Sequence, residues 1–203
     1  MTTRTLVALT IFMLAGACER PQEDAQGPEE PAPEPAAPEI AEEDESEEDS
    51  PMLDLEQTAQ AADRALRQRL LGRVMEVVES DGLPAAVTVC HEEAIPLTTQ
   101  VGEEFDVSIG RVSDRLRNPD NIPPAWAAEM IESADEEAQT QDVDDVHRRV
   151  SPLHIGAPCL NCHGAREDIA PDVLTVIDEL YPDDRATGYA ESQLRGWVWV
   201  EAR

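Results

Sequence analysis

The chain has 203 residues, 44 of them acidic against 15 basic, for a formal net charge of -29, and it contains no lysine. That balance argues against a nucleic-acid partner and against direct adhesion to an anionic bilayer, because both would repel such a chain. What stays open is attachment through a lipid, a basic protein partner, or a small redox molecule.

The N-terminus reads as an export signal. Arg4 gives a short positive start, Leu6 to Leu14 form an apolar run too short to span a bilayer, and Ala15-Gly16-Ala17 place small residues ahead of Cys18. The segment resembles a bacterial lipoprotein signal in which Cys18 is acylated, although Ala15 stands where leucine is usual and the small residues also suit ordinary signal peptidase. Residues 1–18 are therefore expected to be a lipoprotein-type signal peptide. The mature protein is expected on the periplasmic face of a bacterial membrane, held by a lipid anchor. Glu19 follows Cys18 in place of the aspartate of an inner-membrane retention signal, which points to the outer membrane.

Residues 19–51 hold 14 acidic residues, 1 basic residue and seven prolines, with Ile40 as the one large apolar side chain. Such a segment cannot bury enough surface to fold, and its self-repulsion predicts an extended acidic stalk. The folded domain is expected over 52–203. Leu55, Ala59, Ala62, Leu66, Leu70, Val74 and Val77 recur at helical spacing between Ser50-Pro51 and Gly82, which predicts a long amphipathic helix. Phe105, Val107 and Ile109 alternate with polar or small residues, as in a half-buried strand. Residues 122–139, opening on Pro123-Pro124, predict a second helix. Val143, Val146 and Val150 are a weaker strand signal, Pro171 to Leu180 predicts a short helix, and Trp197-Val198-Trp199-Val200 a closing strand. Helices and strands without a βαβ rhythm point to an α+β fold.

The segment Cys159-Leu160-Asn161-Cys162-His163 carries the pattern CxxCH in a chain read as exported. Two cysteines at this spacing can each form a thioether to one vinyl group of a single porphyrin. The next residue, His163, then supplies the proximal imidazole to the iron. One covalent haem c is the expected cofactor. A local Cys159–Cys162 disulfide or half of a zinc site are the competing readings, and the chain has no second CxxC or HxxxH pair to complete the latter. Cys90 is the odd cysteine, and it follows the apolar run Ala85-Ala86-Val87-Thr88-Val89. It is either a buried thiol packing as a small hydrophobe or a thiolate ligand opposite His163. His91, His147, His154 and the methionines remain alternatives for that position. Arg111, Arg115 and Arg117 cluster in an otherwise acidic chain; they suit carboxylates such as haem propionates, or ordinary ion pairs with Asp114 and Asp120. Arg111 is the expected cofactor contact.

From about residue 53 to 202 the chain resembles a family of PAS-like, single-haem c-type proteins of unknown function. The resemblance rests on four ordered blocks: Ala86-Val87-Thr88-Val89-Cys90; Gly110-Arg111-Val112-Ser113 through Arg117-Asn118-Pro119 and Asn121; Cys159 to Gly164; and Tyr181-Pro182-Asp183-Asp184, Ala186-Thr187-Gly188-Tyr189 and Arg195-Gly196. It implies a PAS-like antiparallel sheet flanked by helices and preceded by the long N-terminal helix, with Cys90 as sixth ligand. Glu191-Ser192-Gln193 departs from the family's usual glycine-containing turn. A donating thiolate in an acidic protein implies a low reduction potential. The expected role is redox or gas sensing through a separate signalling partner, with periplasmic electron transfer to a redox partner as the alternative. No distal acid/base pair is recognisable, so enzymatic activity is not expected.

Overall fold

The computed structural model describes residues 51–203; the signal and stalk readings, Cys18 included, lie outside the described residues. Helix α1 (Pro51–Asp81) matches the predicted long helix and stops at Gly82, whose φ of 86° is readily adopted by glycine. Helix α2 (Leu83–Glu92) follows, so the apolar run before Cys90 is helical. Helix α3 (Ala94–Phe105) ends at Asp106, which adopts a left-handed conformation and returns its N–H to the Gly102 carbonyl. Phe105 therefore closes a helix, and strand β1 spans Val107–Val112, not starting at Phe105 as the alternation suggests.

Helix α4 (Ala125–Ser133) is shorter than the expected 122–139. Proline precedes it on one side, and the backbone turns extended at Ala134 on the other. The weak strand signal around Val143 to Val150 resolves into a hairpin of β2 (Gln139–Val143) and β3 (Val146–His154), reversing over Asp144 and Asp145, with Val143 paired to Val146. A single 3₁₀ turn, Ala157–Cys159, leads into the helical turn α5 (Leu160–His163). Helix α6 (Pro171–Leu180) has the predicted bounds, and β4 (Leu194–Ala202) is the closing strand. Ahead of β4, Ser192 takes a left-handed conformation at φ 65°, in the turn where the family pattern has glycine.

The domain is α+β, with one antiparallel sheet in the order β1-β4-β3-β2, flanked by helices and preceded by the long helix, consistent with a PAS-like fold. Strand β4 is central and buried on both faces. Val198, Val200 and Ala202 pack against Ala59, Ala62 and Leu66 of α1, while Trp197 faces Ala127 of α4 and Val150 of β3. The period-two pattern of β4 and the period-3.6 pattern of α1 meet along that seam. Each fully buried Leu or Val there contributes roughly 1.5–3 kcal/mol.

A polar clasp fixes α1 to β3. Asp63, 5% exposed, accepts from Arg67 Nε at 2.6 Å and from Ser151 Oγ at 2.6 Å, while Arg67 also donates to the Pro152 carbonyl at 2.9 Å. This clasp holds the end of β3 whose next residue, Leu153, lines the cavity described below. Asp63→Ala leaves Arg67 with only neutral acceptors, the Ser151 hydroxyl and two backbone carbonyls, and removes the carboxylate that also faces Arg149. It is expected to destabilise the domain by about 2 kcal/mol, below the scale for a fully buried pair because Arg67 is partly exposed, read from denaturant unfolding.

Candidate functional site

The CxxCH turn sits between two small apolar clusters. Cys162 packs on Val87 of α2 and on Ile169, Val173, Ile177 and Tyr181 at and around α6, whereas Cys159 packs on Ile155, Ala186 and Tyr189. Helix α5 is one turn long, so its geometry is imposed by neighbours more than by propensity. The segment after Asp184 runs alongside it: the Gly188 and Tyr189 amides donate to the Gly164 and His163 carbonyls at 2.6 and 2.9 Å. All three described cysteines are free thiols. Among the described residues, no three His, Cys, Asp or Glu side chains converge as a metal-ligand cluster.

His163 is held in one tautomer. Its Nδ1 lies 2.6 Å from the Ala186 carbonyl, an acceptor, so Nδ1 carries the proton and Nε2 keeps a free lone pair. Burial and then the Arg117 and Arg195 guanidinium groups push its pKa down to about 3, so the imidazole is neutral at physiological pH. The Tyr189 ring stands edge-on to it at 6.3 Å, with the Arg115 guanidinium stacked over that ring at 3.9 Å.

His163 opens onto a cavity of about 520 Å³, counting space open to solvent, which Arg111, Leu116, Arg117, Leu153 and Arg195 also line. The three arginines of this cavity differ in commitment. Arg117 pairs with Asp184 at 3.1 Å and donates to the Cys162 carbonyl at 2.6 Å. Arg195 donates to the Arg115 carbonyl at 3.2 Å. Among the described residues Arg111 keeps a buried Nε without a hydrogen-bond partner, and burial pulls its pKa down. Asp184 is taken by Arg117, so neither Arg111 nor Arg195 pairs with a carboxylate among the described residues, and Arg111 is the one that also leaves a buried N–H unsatisfied. Arg115, from the same cluster, is taken up by the Arg185 and Thr187 carbonyls.

Cys90 lies on α2, which packs against α5 and α6. Burial pushes its thiol up, Arg111 and then Arg117 oppose that, and Glu93 reinforces it. The thiol therefore shares the electrostatic surroundings of Arg111 and Cys162, although Cys90 is not one of the cavity-lining residues. The other histidines are placed as follows. His91 is exposed and edge-on to Tyr181 at 5.0 Å; exposed His154 is 3.7 Å from Glu136. His147 is buried with Nδ1 2.6 Å from Asp142, six residues along β3 from Leu153, or roughly 20 Å of strand.

The site thus offers what a covalent haem requires of its host: two free thiols on one turn, a neutral imidazole with Nε2 available, a cavity beside it, and an uncompensated guanidinium for a propionate. Sequence reasoning missed Arg195, Tyr189 and Asp184 as site residues. All three fall in the final block of the family resemblance, but an ion pair across 67 residues and a ring contact across 26 leave no periodic signal.

A family model described as Tll0287-like: Tll0287 matches residues 37–202. Among solved structures, the cyanobacterial heme-protein Tll0287 aligns with a TM-score of 0.45 at 24% identity, covering 64% of this chain and 92% of that one. No curated protein matches the chain.

His163 makes acid stability testable in the chain without a bound group. Its folded pKa of about 3 lies below the unfolded value of 6.5, so the unfolded state takes up the proton first on acidification. The stability it contributes is fully present above about pH 6.5 and is lost as pH falls toward 3. His163→Gln is expected to flatten that part of the stability–pH curve, measured by urea unfolding at successive pH values.

Proposed function

The chain belongs to the Tll0287-like family, and from that membership and the geometry above we propose that it is a c-type haem domain acting in redox or gas sensing. The observation that carries the haem reading is the CxxCH turn itself. Its two thiols are free, and the imidazole is fixed through Nδ1 so that Nε2 points its lone pair to a ligand. Haem c bound there would supply one-electron redox chemistry and an iron able to take protein or gas ligands. In this reading Cys159 and Cys162 hold the group covalently, His163 is the proximal ligand, and Arg111 pairs with a propionate. Cys90 is the proposed sixth ligand.

Cys90 is suited to switching. As a ligand it must be a thiolate; once released, burial favours the protonated thiol. The Arg111 and Arg117 charges favour the thiolate, so the balance between the two forms is set inside the protein. A ligand that leaves on reduction and opens a coordination position is the sensor we propose. Electron transfer, the alternative, requires Cys90 to stay in place in both oxidation states.

The remaining assignments are part of the same proposal: export, acylation of Cys18, an acidic stalk, and a separate signalling or redox protein as partner, with no enzymatic reaction. The acidity of the chain selects a partner with a basic face.

Co-expression with a cytochrome c maturation system is expected to yield haem that survives denaturation. Cys159→Ser with Cys162→Ser is expected to abolish it. Cys90→Ala is expected to retain covalent haem and change the ferric spectrum. An unchanged ferric spectrum would remove Cys90 from the coordination sphere.

A further inference from the structure

Arg117 and Asp184 form the most enclosed ion pair of the described domain, with side-chain exposures of 9% and 3%. The pair joins three chain segments. Arg117 lies in the loop after β1, and its guanidinium makes a forked contact with Asp184, Nε to Oδ1 at 3.1 Å and a terminal nitrogen to Oδ2 at 3.2 Å. That same nitrogen reaches the Cys162 carbonyl at 2.6 Å and the Ala186 carbonyl at 3.4 Å. Asp184 Oδ1 in turn accepts from the Ala186 amide at 3.0 Å. The Ala186 carbonyl is the acceptor for His163 Nδ1. One buried pair therefore fixes both the residue before the histidine and the peptide that orients its ring.

We infer that Arg117 and Asp184 are positioning residues for His163, and that their two charges tune, in opposite directions, the reduction potential of the group His163 ligates. The inference rests on the haem reading above. Reduction of the iron from ferric to ferrous takes up one electron and removes one positive charge. A nearby cation favours the reduced form, and a nearby anion the oxidised form. At low effective dielectric these effects are far larger than in water. Arg117 already reaches this place, since it donates to the carbonyl of Cys162, the residue before the histidine, and to that of Ala186. Asp184 places the opposite charge on the same guanidinium, so the pair can hold the ring by hydrogen bonds while its two charges oppose each other.

The test is potentiometry on the matured holoprotein. Asp184→Asn keeps shape and the acceptor for the Ala186 amide but leaves the guanidinium uncompensated, so the potential is expected to rise. Arg117→Gln leaves the carboxylate uncompensated, and the potential is expected to fall. The double variant is expected to return toward the parent. A merely structural pair would lower thermal stability in both single variants without opposite shifts. Shifts of the same sign, no shift, or a double variant displaced further from the parent would overturn the inference. If either single variant fails to accumulate, Arg117→Lys preserves the charge but cannot bridge carboxylate and carbonyls. It should keep the parental potential and change the ferric EPR anisotropy; a parental EPR spectrum would overturn the positioning role. Parent protein lacking covalent haem would overturn the haem reading and this inference together, whereas haem-loaded parent with unshifted variants overturns the inference alone.

Discussion

A guanidinium buried beside a histidine has to be neutralised, and that constraint organises this site. Arg117 is needed to tie the loop after β1 to the CxxCH turn, because its hydrogen bond to the Cys162 carbonyl spans 45 residues of sequence. Without Asp184 the same cation would sit uncompensated in the cluster of Arg111 and Arg195. With it, the turn at Ala186 is set, the carbonyl that accepts from His163 is set, and the ring presents Nε2 and not Nδ1. A one-turn helix has no intrinsic stability of its own. The position of its two cysteines and its histidine follows from this pair and from the apolar clusters on either side.

Most of the fold is legible where one element has one clear period. Helix α1 shows its buried stripe in Ala59, Ala62 and Leu66, helix α6 announces its start with Pro171, and β4 alternates Val198 and Val200 with Trp197 and Trp199. Helices α2 and α3 have no counterpart in the sequence reading, and the misplaced ends of the other elements are set by single backbone torsions. Phe105 fits a strand by alternation, but the left-handed Asp106 ends the helix one residue after it. A helix over 122–139 fits its composition, yet the chain leaves helical torsions at Ala134 and Gln139 already pairs with Val150. The CxxCH residues were legible because they are contiguous. Arg195, Tyr189 and Asp184 were not, since only the fold brings them to His163. Ser192 shows how a departure from the family pattern is absorbed: it takes the left-handed conformation that glycine adopts more easily, and β4 still forms.

The distribution of charge gives the domain its chemical character. A chain of net charge -29 keeps three arginines around one cavity, with a single carboxylate, Asp184, paired among them. Arg111 has a buried Nε without a partner among the described residues. In the proposed haem site a propionate pairs with it, and the thiolate form of Cys90 gains from the same cation. In the proposed reading, partner recognition and cofactor binding draw on opposite signs of charge.

Sensing at this site requires a ligand opposite His163 to depart when one electron is added. The most direct measurement is the optical spectrum of the matured protein, oxidised and reduced, with and without CO. The account predicts a ferric thiolate-type haem that loses that ligand on reduction and then takes up CO. A six-coordinate spectrum that survives reduction unchanged and is indifferent to CO would contradict it and make the protein an electron carrier.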